Sequence, residues 1–302
     1  MTSLEAEQVS PAEGGQPSVG LVVLVLFTAS IFGFATIVTM LGPLLVDLSR
    51  ELDVSLGQAG LLAIGAYASG LLAINLKLPV AASIAAAGVI TAMLGTLIIF
   101  PSFRLRGHYV TIATLGVGEI VMLVILNWDT LTHGPIGLSA IPPLSFFGGP
   151  LLSGTWVYEI ALGALIVLAL LQHRLLSSHL GRTLRAIRDD DVAARSYGIA
   201  LDRYKSLAFG VAGFSAGIAG ALMAHIFSYV NHETFTSQVS LLALTMVILG
   251  GLGNIAGGIL AALMLVSLPE LFRAAAEYRM LIYGIALLLL IRFRPQGLMG
   301  TV

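Results

Sequence analysis

"SLLALTMVILGGLGNIAGGILAALMLVSL", residues 240–268, is a stretch of 29 residues that is apolar at both ends and glycine-rich in the middle. A helix rising 1.5 Å per residue crosses a hydrocarbon core in roughly 20 residues, so this run is too long for one ordinary crossing. Its centre, "GGLGNIAGG" from Gly250, packs five glycines and an asparagine into nine residues. Glycine at that density breaks helices, which predicts two short segments meeting there. The number of times the whole chain crosses a bilayer turns on this division.

Seven other apolar runs lie near residues 19–46, 56–75, 79–100, 109–127, 156–172, 206–230 and 280–293. With residues 240–268 counted as two segments there are nine crossings, and the positive-inside rule can be applied to them. Arg50, Arg104, Arg106, the seven basic residues from Arg174 to Lys205, Arg292 and Arg294 then share one side, twelve of the chain's 15. Lys77, Arg273 and Arg279 remain on the other. Parity therefore places the N-terminus outside and the C-terminus in the cytoplasm of a plasma (inner) membrane; a re-entrant pair with one miscounted span elsewhere is the alternative. The expected fold is an all-α, polytopic integral membrane protein of about 8–10 transmembrane helices, including short or broken helices near 240–268.

Composition supports this. Charged residues are 10% of the chain and hydrophobic residues 57%, with a mean hydropathy of +0.97. A soluble domain carries about 25% charged residues, and one of this length could not hide so much apolar surface. A net charge of −1 spread over short connectors argues against nucleic-acid binding. The absence of cysteine removes disulfides, thiolate metal sites and cysteine nucleophiles. Residues 1–18 hold three glutamates and no Lys or Arg, which reads as a disordered tail before a retained first span, with a signal anchor as competitor. Residues 19–302 are then a single transmembrane domain with one long cytoplasmic loop, 173–205.

That loop contains "GRTLRAIRDDDVAARSYGIALDRYK", residues 181–205, where ten of the chain's charged residues fall in 25 positions. Leu184, Ile187 and Ala194 recur at helical intervals, and Arg182, Arg185 and Arg188 form a basic stripe three residues apart. A helix lying on anionic lipid would use the stripe. A helix docking on a cytoplasmic partner would also tolerate the Asp189, Asp190 and Asp191 run, which acidic headgroups repel.

"DDDVAARSYG" resembles the coupling loop of ABC-importer permeases, an acidic residue followed by Ala193, Ala194 and, four positions on, Gly198. "SLGQAGLLAIGAY" from Ser55, "LRGHYVTIATLGVGEIV" from Leu105, "NWDTLTHGPIGLSAIP" from Asn127, "GGLGNIAGG", "YRMLIYG" from Tyr278 and "RPQGL" from Arg294 are similar, in order, to LivM-type permeases of branched-chain amino acid importers. The resemblance covers roughly residues 50–299. His133 stands where that family usually has Gly, and Gln58 where it often has His.

The resemblance implies a non-catalytic permease subunit that moves branched-chain amino acids or a related small polar substrate. ATP would be used by two cytoplasmic ATPase subunits, with no cofactor bound by this chain. A second, LivH-like permease and a periplasmic or extracellular substrate-binding protein complete the implied assembly. Urea, amides and aromatic acids are cargoes of the same family, and a self-sufficient secondary transporter is the competing class. Arg185, Arg188, Asp190, Asp191, Ala193, Ala194 and Gly198 are the expected coupling residues.

Candidates for the translocation path are Ser55, Gln58 and Tyr67, mid-span Glu119, and Gly250, Gly251, Gly253 and Asn254. Glu119 is costly in a bilayer unless it faces a cavity or partner. It lines a pore, bonds backbone unwound around Gly116 and Gly118, or touches a second permease. The glycine centre either brings half-helix ends to a substrate path or serves packing alone. Gly251, Gly253 and Ala256 match a dinucleotide fingerprint only by spacing, since membrane-length runs flank them. Gly213 and Gly217 in "GVAGFSAGIAG" predict close helix packing, and His225 a hydrogen bond within the bundle. No GxxxxGK[ST] loop, GxSxG elbow or metal-spaced His/Asp/Glu cluster is present.

Overall fold

A computed structural model of the chain describes residues 58–100, 108–146, 149–150, 154–251, 255–271 and 292. The N-terminal tail, the runs near 19–46 and 280–293, Ser55, Gly253 and Asn254 lie outside the described residues. Helix α1 spans Gln58–Asn75, α2 Val80–Ile99 and α3 His108–Asn127. A short helix, α4 (Asp129–Thr132), and a 3-10 turn at Gly134–Ile136 follow. Strands β1 (Ser145–Phe146) and β2 (Gly149–Pro150) pair antiparallel. Then come α5 (Gly154–Ser177), α6 (His179–Asp189), α7 (Asp191–Ser196) and α8 (Leu201–Phe227). A 3-10 turn at His232–Phe235 leads to α9 (Ser237–Gly250) and α10 (Ile255–Leu271).

The chain is an all-α polytopic membrane protein. Among the described residues three helices are long and apolar enough to cross a bilayer, those within α2, α5 and α8, and a fourth span results if α3 and the segment bent from it count as one. That bend is 76°. The long run 240–268 divides as its composition predicts, into α9 and α10.

Helices α1, α2 and α8 form the centre. In lipid no hydrophobic force drives helices together, so contact depends on how closely backbones approach. A Cβ on Gly65 would lie 2.4 Å from Cα of Gly217, and one on Gly220 would lie 2.1 Å from the Leu62 carbonyl oxygen. Gly213 meets the backbone of Thr91 and Ala92 on α2 in the same manner. The small-residue face of α8 is thus a packing device, and α8 is the axis of the bundle. In α8 67% of the spanning window is buried, against 28% for α2 and 22% for α5.

At the end of the bundle reached by the C-terminus of α8 the chain turns back inward. Val230 bridges Leu138, Phe235 is buried beside Ala59 and Leu61, and the Ser240 hydroxyl accepts the Ala59 backbone N–H at 3.0 Å. One alternative falls here. Helix α3 runs unbroken through Gly116 and Gly118, and the chain bends only at Trp128, where Thr132 offers its hydroxyl to the Ile125 and Trp128 carbonyls. The stretch after Asn127 carries α4, a 3-10 turn and the β1–β2 ladder.

Candidate functional site

The loop 173–205 folds into an elbow at the base of α8. The last turn of α5 hands over to α6 at Ser178, and a Cβ on Gly181 in the first turn of α6 would sit 2.1 Å from the Leu176 carbonyl oxygen. Arg185 reaches back across this joint and donates to the Leu176 carbonyl at 2.8 Å and the Gly181 carbonyl at 3.3 Å. The Leu176 carbonyl, in the last turn of α5, is of the kind a helix end leaves unsatisfied, so Arg185 clamps the turn with part of its donor set. Arg182 is exposed, and Arg188 keeps its place in α6 three residues on.

The expected single helix through Leu184, Ile187 and Ala194 is two helices, broken at Asp190. That residue is extended, with φ −158° and ψ 110°, and its carboxylate accepts the backbone N–H groups of Val192 at 2.9 Å and Ala193 at 3.0 Å. It is the N-cap of α7. Asp191 is the first residue of α7 and exposed, where its charge suits the helix dipole. The apolar period survives the break because both helices lean on one surface: Ile187, Ala194 and Leu201 pack together, and Leu184 packs on Ala208 and Tyr204 of α8.

The other end of α7 explains the glycine. Gly198 N–H donates to the Arg195 carbonyl at 2.9 Å and Ile199 N–H to the Ala194 carbonyl at 3.1 Å, with Gly198 at φ +80°. This is a Schellman ending, including its apolar contact between Ile199 and the Ala194 cluster. Nothing lies within 4 Å of a Cβ at Gly198, so the backbone angle alone selects glycine. Ala194 is buried and Ala193 half-buried. Outward, α7 and its ending present Asp191, Val192, Arg195 and Tyr197, with Val192 72% and Tyr197 87% exposed. The elbow is therefore a short helix held by both caps and one apolar cluster, offering a mixed-charge face away from the bundle.

The path candidates do not converge on one point. Gln58 opens α1, whose Ala59 N–H is the one bonded by Ser240. Tyr67 is buried against the segment after α8, its hydroxyl 3.5 Å from the Val230 carbonyl. Glu119 is exposed on α3, while its neighbour Gly118 faces Gly60 of α1. Gly250 and Gly251 are buried at the α9–α10 joint. A Cβ on Gly250 would lie 2.6 Å from the backbone of Gly257 and Gly258, and Gly251 has φ +97°.

One polar junction had no sequence signal beyond a lone histidine. His225 is fully buried at the last turn of α8, with Nε2 2.8 Å from the Ser69 hydroxyl and Nδ1 2.7 Å from the Pro142 carbonyl. A carbonyl only accepts, so Nδ1 carries the proton there, and in the neutral ring Nε2 accepts from Ser69. Tyr229 donates to the Ile136 carbonyl at 2.8 Å, and Leu138 and Val230 exchange both backbone bonds at 2.8 and 3.0 Å.

Residues 51–291 match the family model described as branched-chain amino acid transport system / permease component. The high-affinity branched-chain amino acid transport permease LivM of Salmonella typhimurium is 38% identical over 267 residues, and so is that of Escherichia coli. In each case the match covers 81% of this chain and 63% of the relative, so this chain spans less than two thirds of their length. The autoinducer 2 import permease LsrC of Klebsiella pneumoniae is 30% identical over 276 residues, 86% of this chain and 76% of the relative. No solved structure gives a significant match.

Proposed function

The chain belongs to the family of permease components of branched-chain amino acid transport systems, and on that premise we propose that it is the membrane subunit of an ATP-driven importer of those amino acids. The elbow at the base of α8 is the observation that carries this reading. A helix of six residues cannot persist alone, yet α7 is capped at both ends and braced on α8. Such a helix has the build of a docking piece for a separate protein, and the sequence holds no phosphate loop of its own. Its mixed Asp and Arg face suits a protein surface better than acidic lipid.

On this reading the charged loop faces the cytoplasm and meets one of two ATPase subunits. Closure of the ATPase pair on ATP pushes the elbow, and the bundle rocks against a second, LivH-like permease. Residues 128–146 and 228–236 lie on the outer side, toward a substrate-binding protein. The chain orients and transmits and catalyses nothing. Asp190, Ala194 and Gly198 shape the elbow, Arg185 fixes its joint, and Asp191, Arg188 and Ala193 are the contact candidates. Tyr67, Gln58, Ser55, Glu119 and the glycine joint with Gly253 and Asn254 remain path candidates.

Uptake of labelled leucine, isoleucine and valine into proteoliposomes holding the complete importer is the test, with urea, an amide and an aromatic acid as competing cargoes. ATP-dependent uptake of the branched-chain set is expected. Uptake that persists without the ATPase subunits would make the chain a secondary transporter, and a preference for another cargo would replace the substrate assignment.

A further inference from the structure

Helix α8 connects the elbow to the opposite end of the bundle. Its 27 residues give a rod about 40 Å long. The first turns hold Leu201, Tyr204 and Ala208 against the elbow. The middle is in backbone contact with α1 and α2 at Gly213, Gly217 and Gly220. Contacts this close leave no play for one helix to yield alone, so a push at the first turn moves the packed block as a unit.

At the last turn the rod is fastened to residues 136–142. His225 holds the Pro142 carbonyl, Tyr229 the Ile136 carbonyl, and Val230 pairs with Leu138. Gly137 lies so close that a Cβ would come within 2.3 Å of the Val230 carbonyl oxygen. Leu138 and Ile141 pack into the core, Tyr229 is exposed and the Leu138 pair is backbone only, so among the described residues His225 is the buried side chain whose hydrogen bond holds this segment to α8. It does so while also bonded to Ser69 of α1.

We propose that His225 is a positioning residue for transport: it pins residues 136–142 to α8, so that displacement of the elbow is delivered to the opposite mouth of the permease. The proposal rests on the importer reading. It assigns to His225 and Ser69 a task in coupling that packing alone would not give them.

The chain has no cysteine, so single thiols can be placed at Ser139, beside the pinned segment, and at Ser196, on α7, both exposed. In the reconstituted importer, maleimide labelling of each is compared with and without nucleotide trapped by vanadate. In the parent both thiols should respond, and coupling between sites commonly amounts to about 5- to 150-fold in equilibrium terms. His225→Ala should abolish the response at Ser139→Cys while preserving it at Ser196→Cys. Ser69→Ala should weaken the Ser139→Cys response. His225→Gln, which keeps an N–H for Pro142 and most of the ring's volume, should restore part of it.

An Ala variant that responds at both thiols refutes the pin. Equal loss in the Ala and Gln variants would also refute it, by assigning the effect to ring packing. A parent in which neither thiol responds would overturn the importer reading itself, and the pin with it.

Discussion

Gly198 gives the most direct test of how the elbow is built, because its substitution isolates one physical effect. A Cβ there meets nothing within 4 Å, so alanine introduces no clash. What it introduces is a left-handed backbone angle, φ +80°, in a residue with a side chain. That conformation costs an L-residue about 1–2 kcal/mol. Since every 1.4 kcal/mol is tenfold, local opening of α7 should become about 5 to 30 times more frequent in Gly198→Ala. Asparagine visits the left-handed region far more readily, so Gly198→Asn should recover most of the loss.

The assay is amide hydrogen exchange on the chain in nanodiscs, following a peptide over 190–200 with one over 208–222 as internal reference. Faster exchange is expected in the first and none in the second, where backbone contact between glycines holds α8. Asp190→Ala should add to the effect by about 1 kcal/mol, since it frees the N–H groups of Val192 and Ala193. Uptake should fall with elbow order while the protein still inserts. Exchange over 190–200 that is unchanged in the alanine variant, or equal in the alanine and asparagine variants, would refute the backbone explanation of this glycine.

Gly65→Ala should lower the unfolding temperature by a core-overpacking cost of about 1–3 kcal/mol, since its Cβ would lie 2.4 Å from Gly217. Gly163→Ala on α5, with nothing within 4 Å, should be neutral or stabilising, and equal effects at the two sites would sink the packing argument. Thr132→Val keeps shape but removes the hydroxyl lying 2.5 Å from the Ile125 carbonyl and 2.8 Å from that of Trp128. A loss of about 1–3 kcal/mol and faster exchange over 129–136 are expected, and unchanged thermal stability would count against it. His133 ends α4 at φ +58°, so His133→Gly should leave the unfolding temperature equal or higher, and a clear drop would show that the ring is needed.

Much of this architecture was readable because bilayer length and glycine density are one-dimensional signals. The split of 240–268 and the packing face at Gly213 and Gly217 needed no knowledge of neighbours. The elbow was half legible. Periodicity put Leu184, Ile187 and Ala194 on one face and they are buried together with α8, but periodicity does not register a break that preserves phase. The break follows from Asp190 preferring to cap two N–H groups over joining a helix, and three adjacent aspartates left open which one would do so. For Glu119 the sequence left three surroundings open, and its exposed place on α3 could not be read from it. Helix α3 is apolar nearly all round, as a helix bathed in lipid is, so sequence does not mark which side meets the core. For His225 a hydrogen bond within the bundle was legible but its partners were not, because they lie 156 and 83 residues away.

The polar groups inside the bundle also bear on where selectivity resides. Backbone that leaves helical geometry at membrane depth must find its hydrogen bonds within the protein. Among the described residues four polar side chains are spent on backbone at turns and helix ends. Thr132 serves the bend after α3, His225 serves Pro142, Asn231 caps Thr234, and Ser240 serves the start of α1. Each satisfies a backbone group at a helix end or in the turns at 128–142 and 228–240. Side chains committed in this way are poorly placed to discriminate cargo, because releasing them would expose the backbone they satisfy. On the importer reading the working parts of this chain are the elbow, the α8 rod and the segment fastened to its far end.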